Sequence, residues 1–124
     1  GVRETDLVRI PTWLESENPC QSFNLLSSHK DQVEELPDEA TIFASNDFCP
    51  ISGFTMGENV MTLQGHPEFS KEYARALMDY RQDILGIDSH ARGVTSLEQP
   101  IHRSEVVSWI LNFLTEYNPE KNVE

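Results

Sequence analysis

His66 and Glu68 are the residues of this chain whose types and spacing best suit chemistry. They flank Pro67 at the end of the apolar run Val60-Met61-Thr62-Leu63-Gln64-Gly65 and are followed by Phe69. In extended backbone, side chains two positions apart point to the same side. Pro67 disfavours helical backbone at His66 and so helps to hold that geometry. A carboxylate on the same side as an imidazole can accept its N–H, fix the tautomer and stabilise the imidazolium. A strand end just before a helix is also a usual location for sites in α/β sheets. Taken as a bare His-x-Glu, the same pattern is more often an incidental polar loop.

A second group is Ser28-His29-Lys30-Asp31, which follows a short apolar stretch at Phe23, Leu25 and Leu26. Ser28 and Asp31 could equally shape a turn through local hydrogen bonds. A metal centre built from His29, His66, Glu68 and His90 lacks diagnostic ligand spacing, so no metal and no cofactor is expected. His90 and His102 sit in no motif and are expected at the surface. Cys20 follows Pro19 in a polar segment and Cys49 precedes Pro50; two cysteines do not make a disulfide framework for a chain this long. Trp13 and Trp109 are expected to pack in a core or an interface.

The elements that must position these residues are strands first and helices last. Val2 to Ile10 alternates weakly and stops at Pro11, and Thr12 to Gln21 reads as loop. Phe23 to Leu26, Ala40 to Ser45, Ile51 to Met56 and Val60 to Gln64 are strand candidates. The last two are joined by Gly57-Glu58-Asn59 as a hairpin. Ser70 is a candidate N-cap, with Glu72 in the first turn. Tyr73, Leu77, Tyr80 and Ile84 form a helical apolar stripe, and Gly86 sits where a C-cap glycine would be. Asp88 to Gln99 reads as loop. A last helix over His102 to Tyr117 would bury Val106, Ile110, Phe113, Leu114 and Tyr117, and Pro119 would stop it. This order predicts α+β, or part of a larger α/β sheet.

Composition narrows the function classes. The chain has 124 residues, 38% hydrophobic and 24% charged, which suits a single domain. A formal net charge of −12 argues against nucleic acid and anionic membranes as partners. No apolar run reaches the ~20 residues needed to span a bilayer, and Gly1 to Arg9 has no apolar core of a signal peptide. A reducing, cytoplasmic location is the default expectation.

Gly65-His66-Pro67-Glu68-Phe69, behind a hydrophobic strand ending in Gln64, resembles the His-Pro-Glu motif of class I glutamine amidotransferases. A second block agrees: Ser28-His29-Lys30-Asp31-Gln32-Val33, then Leu36-Pro37, Ala40, Ala44-Ser45 and Cys49-Pro50. It is similar to the Ser-His-x-Asp-x-Val…Leu-Pro…Cys-Pro segment of the GMP-synthetase-like branch. The resemblance covers residues 1 to about 85 and implies an α/β fold with a mixed central sheet and flanking helices. Residues 1–124 would then be the C-terminal portion of one such domain.

The activity it implies is hydrolysis of a γ-glutamyl amide through a Cys-His-Glu triad. His66 would activate the thiol, Glu68 would orient His66, and Ser28, His29, Lys30 and Asp31 would line the pocket for glutamine or a γ-glutamyl small molecule. The nucleophile's Gly-x-Cys-x-Gly elbow is not in this chain. Cys49 matches the downstream Cys-Pro, and both cysteines are expected to be structural or incidental. The chain alone is therefore expected to be inactive, with an N-terminal half of the same protein or self-association covering an edge at Val60–Gln64. A non-catalytic module that keeps the fold is the alternative. The short polar tail from Asn118 is expected to disfavour a fused synthetase.

Overall fold

The computed structural model describes residues 1–116, so Tyr117, Pro119 and the rest of the tail lie outside the described residues. Within the described residues five strands form one sheet: β1 (Val2–Leu7), β2 (Ser22–Leu26), β3 (Ala40–Ser45), β4 (Gly53–Met56) and β5 (Val60–Met61), in the order β2-β1-β3-β4-β5. Every pairing among the described strands is antiparallel. β1 is the hinge of the arrangement. Val2 to Asp6 face Leu26 to Ser22, and Asp6 and Leu7 also face Ser45 and Ala44. β3 and β4 slip register between Ile42 and Ala44, and such a bulge bends the strand.

The sheet curls back on itself, and one segment makes the closure. The Thr62 N–H donates to the Phe54 carbonyl at 2.9 Å and that of Gln64 to the Ser52 carbonyl at 2.7 Å, both beside β4. Two residues on, the His66 N–H donates to the Leu26 carbonyl at 2.8 Å, on β2 at the far end of the strand order. The expected strand Val60–Gln64 is thus ladder only at its start and a crossing segment thereafter. Gly65 permits the crossing. A Cβ there would lie 3.0 Å from the Leu25 Cβ, closer than side chains normally approach.

Among the described residues five helices flank the sheet: α1 (Thr12–Glu15), α2 (Lys71–Tyr80), α3 (Gln82–Leu85), α4 (Ile87–Ser96) and α5 (Arg103–Glu116). The main core holds Trp13, Leu14, Phe23, Leu25, Phe43, Ala44, Val106, Trp109 and Phe113. Edge-to-face ring pairs join its layers: Trp13–Phe43 at 5.6 Å, Trp13–Phe113 at 5.5 Å and Phe23–Trp109 at 5.2 Å. Burying each such side chain contributes on the order of 1.5–3 kcal/mol. A smaller cluster of Val2, Leu26 and Ala74 seats α2 on the sheet.

Four sequence expectations need correction. Residues 12–21 are not all loop, because α1 turns Trp13 and Leu14 into the core. A single turn is too short for any periodicity to register. Residues 88–99 are mostly helix α4, whose apolar Ile87, Ala91 and Val94 sit among polar neighbours and of which no residue is fully buried. Helix α2 rests on Ala74 and Met78 instead of the aromatic stripe. Of that stripe Leu77 is half-buried, while Tyr80 and Ile84 remain 88% and 79% exposed. Small Ala74 lets α2 approach β1 and β2 closely, and Met78 fits over Gly93, where a Cβ would meet its sulfur at 2.5 Å. On α5, Val106 and Phe113 are buried as expected, but Trp109 takes the place given to Leu114, which is exposed. The predicted caps hold. The Ser70 hydroxyl accepts the Tyr73 N–H at 3.0 Å, and Gly86 follows α3 at φ +85°.

Candidate functional site

The His66-Pro67-Glu68 turn stands between the Leu26 bridge and the N-cap of α2, in the short interval that has no ladder of its own. His66 Nδ1 lies 2.6 Å from Glu68 Oε1. A carboxylate accepts, so Nδ1 carries the proton and donates, which leaves Nε2 as the free ring nitrogen. The side chains are 34% and 60% exposed, enough for a reactant to reach them.

The imidazole is held from a second direction. Its ring stacks on Phe69 with centroids 4.1 Å apart and planes 4° from parallel. Tyr73, on the first turn of α2, backs Phe69 at 4.7 Å. A third support comes from α5. Arg103 Nε donates to the Pro67 carbonyl at 3.0 Å and its Nη2 to the Glu68 carbonyl at 3.2 Å. Neither role was legible beforehand: Phe69 is an apolar neighbour of the motif, and Arg103 lies more than thirty positions away.

Ser28, His29, Lys30 and Asp31 lie in the irregular segment after β2. His29 Nδ1 sits 3.0 Å from the Asp31 carbonyl, so its N–H donates there, and the ring tilts over Phe48 at 5.7 Å. The Asp31 carbonyl also meets the Gln64 side-chain amide at 3.5 Å. That weak contact brings the loop against the segment leading into His66. Phe48 in turn carries the Arg3 guanidinium 4.1 Å from its ring centroid.

Cys49 is buried in the β3–β4 connection. Its N–H donates to Asn46 Oδ1 at 2.7 Å, its carbonyl accepts from Ser52 Oγ at 2.5 Å, and its thiol points to the Ile51 carbonyl at 3.6 Å. Those bonds describe a turn, not a nucleophile. Cys20 is exposed and unbridged.

The other two histidines are less exposed than expected. His90 Nε2 pairs with Asp79 at 2.7 Å, joining α4 to α2. His102 Nδ1 accepts the Asn24 N–H at 2.8 Å, and the His102 backbone N–H donates to the Asn24 carbonyl at 2.9 Å. His102 therefore docks α5 on β2. Among the described residues no group of three or more His, Cys, Asp or Glu could hold a metal ion, and no helix is long and apolar enough to cross a membrane.

No model of a known protein family matches the chain. Gamma-glutamyl peptidase 3 of Arabidopsis thaliana is 38% identical over 58 residues, 47% of this chain and 23% of the peptidase. A GMP synthase (glutamine-hydrolyzing) of Pseudomonas putida is 37% identical over 65 residues, 50% of this chain and 12% of the synthase. A glutamine amidotransferase of solved structure from Thermotoga maritima superposes with a TM-score of 0.62 at 20% identity, over 94% of this chain and 48% of its own. The match to the peptidase thus spans about a quarter of that relative's length, and the chain covers about half of the solved structure. The fold is that of a glutamine amidotransferase. Sequence and fold together support a class I glutamine amidotransferase-like family for this chain.

Proposed function

We propose that the protein containing this chain hydrolyses a γ-glutamyl amide through a Cys-His-Glu triad. His66 and Glu68 come from this chain, and the cysteine comes from a segment N-terminal to it. Residues 1–124 would be the C-terminal portion of that single domain. The observation that carries the reading is the 2.6 Å contact between His66 Nδ1 and Glu68 Oε1, which leaves Nε2 free to take a thiol proton. The thiolate, as the active nucleophile, attacks the γ-carbonyl carbon and the C–N bond breaks. Ammonia or an amine leaves with the proton held on Nε2. Water then attacks the thioester, Nε2 receives its proton, and the thiol reforms as the glutamyl acid departs. Ser28, His29, Lys30 and Asp31 would contact the α-amino and α-carboxylate groups of the substrate. The contact between Asp31 and Gln64 supports that role by placing the loop beside the catalytic segment.

The exposed Val107, Leu111 and Leu114 on α5 support coverage of this portion by the rest of the protein or by a second copy. Light scattering on the isolated chain tests that: a cooperative, active monomer would overturn it. The non-catalytic alternative draws on one observation, that neither cysteine here has the surroundings of a nucleophile. Ammonia or amine release by the full-length protein and its His66→Ala variant decides between the two. Equal turnover in both would remove His66 from the mechanism.

A further inference from the structure

We propose that Arg103 is a positioning residue for the His66–Glu68 pair, an assignment that rests on the hydrolytic reading above. The turn has few anchors of its own. The backbone bond across it is a long one, from the Phe69 N–H to the His66 carbonyl at 3.3 Å. His66 is pinned from behind by Leu26, which fixes where the turn begins but not where Glu68 ends up. The Arg103 fork supplies that second constraint by binding the two successive carbonyls that follow His66. A planar guanidinium can bind two acceptors at once in a set geometry, which a lysine ammonium cannot reproduce. The bonds go to the backbone of Glu68, so its carboxylate stays available to the imidazole.

Arg103 is itself held to the same strand as His66. The preceding residue, His102, exchanges two hydrogen bonds with Asn24 of β2, and Asn24 Nδ2 donates to the Pro100 carbonyl at 2.9 Å. Three residues beyond Arg103, Val106 is fully buried in the core. Leu26 and Asn24 therefore act as two marks on one ruler. The first sets the His66 backbone, and the second sets Arg103, whose guanidinium returns to the turn. The resulting ring of contacts runs Leu26, His66, Pro67 and Glu68, Arg103, His102, Asn24. Removing Arg103 opens the ring at the link that holds the Glu68 backbone and leaves the core untouched.

The test uses the full-length protein with Arg103→Ala, Arg103→Gln and Arg103→Lys. Three readouts are needed: kcat and KM for γ-glutamyl hydrolysis, the thermal melt, and the His66 Nδ1 proton in ¹⁵N-histidine-labelled protein. Misplacing a catalytic group by about 1 Å can cost on the order of 10²-fold. The expected result for Arg103→Ala is a fall in kcat of about 10–100-fold with little change in KM. Its melt should remain cooperative, and its Nδ1 proton signal should be weakened or lost. Arg103→Lys should recover part of both. If the alanine variant does not fold, Arg103→Gln, which keeps a donor, provides the same comparison. An unchanged Nδ1 signal and kcat would overturn the proposal. So would activity lost only in proportion to stability. Should the wild type not turn over, the resonance still decides: its loss in Arg103→Ala upholds the positioning role while the hydrolytic reading falls.

Discussion

Among the described residues two histidine–carboxylate pairs have nearly equal lengths, and they differ in everything else. His66 meets Glu68 at 2.6 Å and His90 meets Asp79 at 2.7 Å. The first pair is local, two residues apart across a proline, and bonds through Nδ1. The second joins residues eleven apart on two helices, bonds through Nε2, and shares its carboxylate with Arg75, whose Nε lies 3.2 Å from both oxygens. In the first, Nε2 is left over for a reactant and the ring is 34% exposed; in the second, the ring is 15% exposed and its outer nitrogen is spent on the bond. Distance alone does not suit such a pair to proton transfer. What separates them is which ring nitrogen is used up and whether backbone anchors or another helix hold the partner.

Alanine substitution of each histidine breaks this comparison most sharply. His66→Ala should lower γ-glutamyl hydrolysis by the full-length protein on the order of 10²–10⁴-fold, the usual cost of losing a general base. His90→Ala should leave kcat within about two-fold of wild type by the same reasoning. Steady-state ammonia or amine release measures both, and equal losses would erase the distinction. Glu68→Gln keeps the imidazole but weakens its orientation, so its loss of kcat should be smaller than that of His66→Ala.

Gly65→Ala probes the anchor that the second pair lacks. Its Cβ would sit 3.0 Å from Leu25 Cβ and 3.1 Å from Leu25 Cδ1, both in the core-facing strand. Overpacking of this kind costs about 1–3 kcal/mol. Denaturant unfolding should show that loss, and unaltered stability would mean that β2 and the crossing segment can separate freely.

The smallest effect is a pH dependence at the second pair. The hydrogen bond from His90 holds the Asp79 carboxyl below its ordinary value of 3.8, opposed by desolvation and aided by Arg75. A carboxyl depressed in the folded state contributes stability that is fully present above pH 3.8 and is lost as pH falls through the lower folded value. Asp79→Asn should therefore melt slightly below wild type at neutral pH, and the two curves should converge in acid. Melting temperatures taken across that range check the sign. A gap that widens in acid would contradict it.

Much of the site is local in the chain, and that part was legible. The spacing of His66 and Glu68, the backbone restriction from Pro67 and the N-cap at Ser70 all act within a few residues. They needed only the rules of extended backbone and helix ends. The strand segments were legible for the same reason, since alternation and turn residues are neighbour effects. The antiparallel pairing of β1 with both β2 and β3 was not, because register depends on which distant segment offers a matching edge.

Helix α2 shows where local reading fails. Tyr73 and Tyr80 recur at helical spacing, yet the helix turns them outward, and Ile84, next in the expected stripe, falls beyond its end in α3 and is exposed too. A periodic stripe says that a helix has an apolar face; it does not say which of two faces finds a partner. Ala74 and Met78 win because β1, β2 and Gly93 leave a shallow, close surface that large aromatic rings could not enter. Helix α4 buries none of its residues fully, and polar contacts help to set its place. Ser96 Oγ accepts the Val2 N–H at 2.8 Å, and His90 meets Asp79.

The sequence by itself determined the pair: an imidazole and a carboxylate on one side of a proline-stiffened turn, with a helix starting just beyond. Tertiary structure alone decided what holds that turn still. Leu26, Phe69 stacked against the ring, and Arg103 from the far end of the chain meet there because the sheet curls and α5 docks on β2 through His102 and Asn24. Short-range sterics act on adjacent residues and can be read in order. The clamp joins residues separated by dozens of positions, and only the packed core brings them within hydrogen-bonding reach.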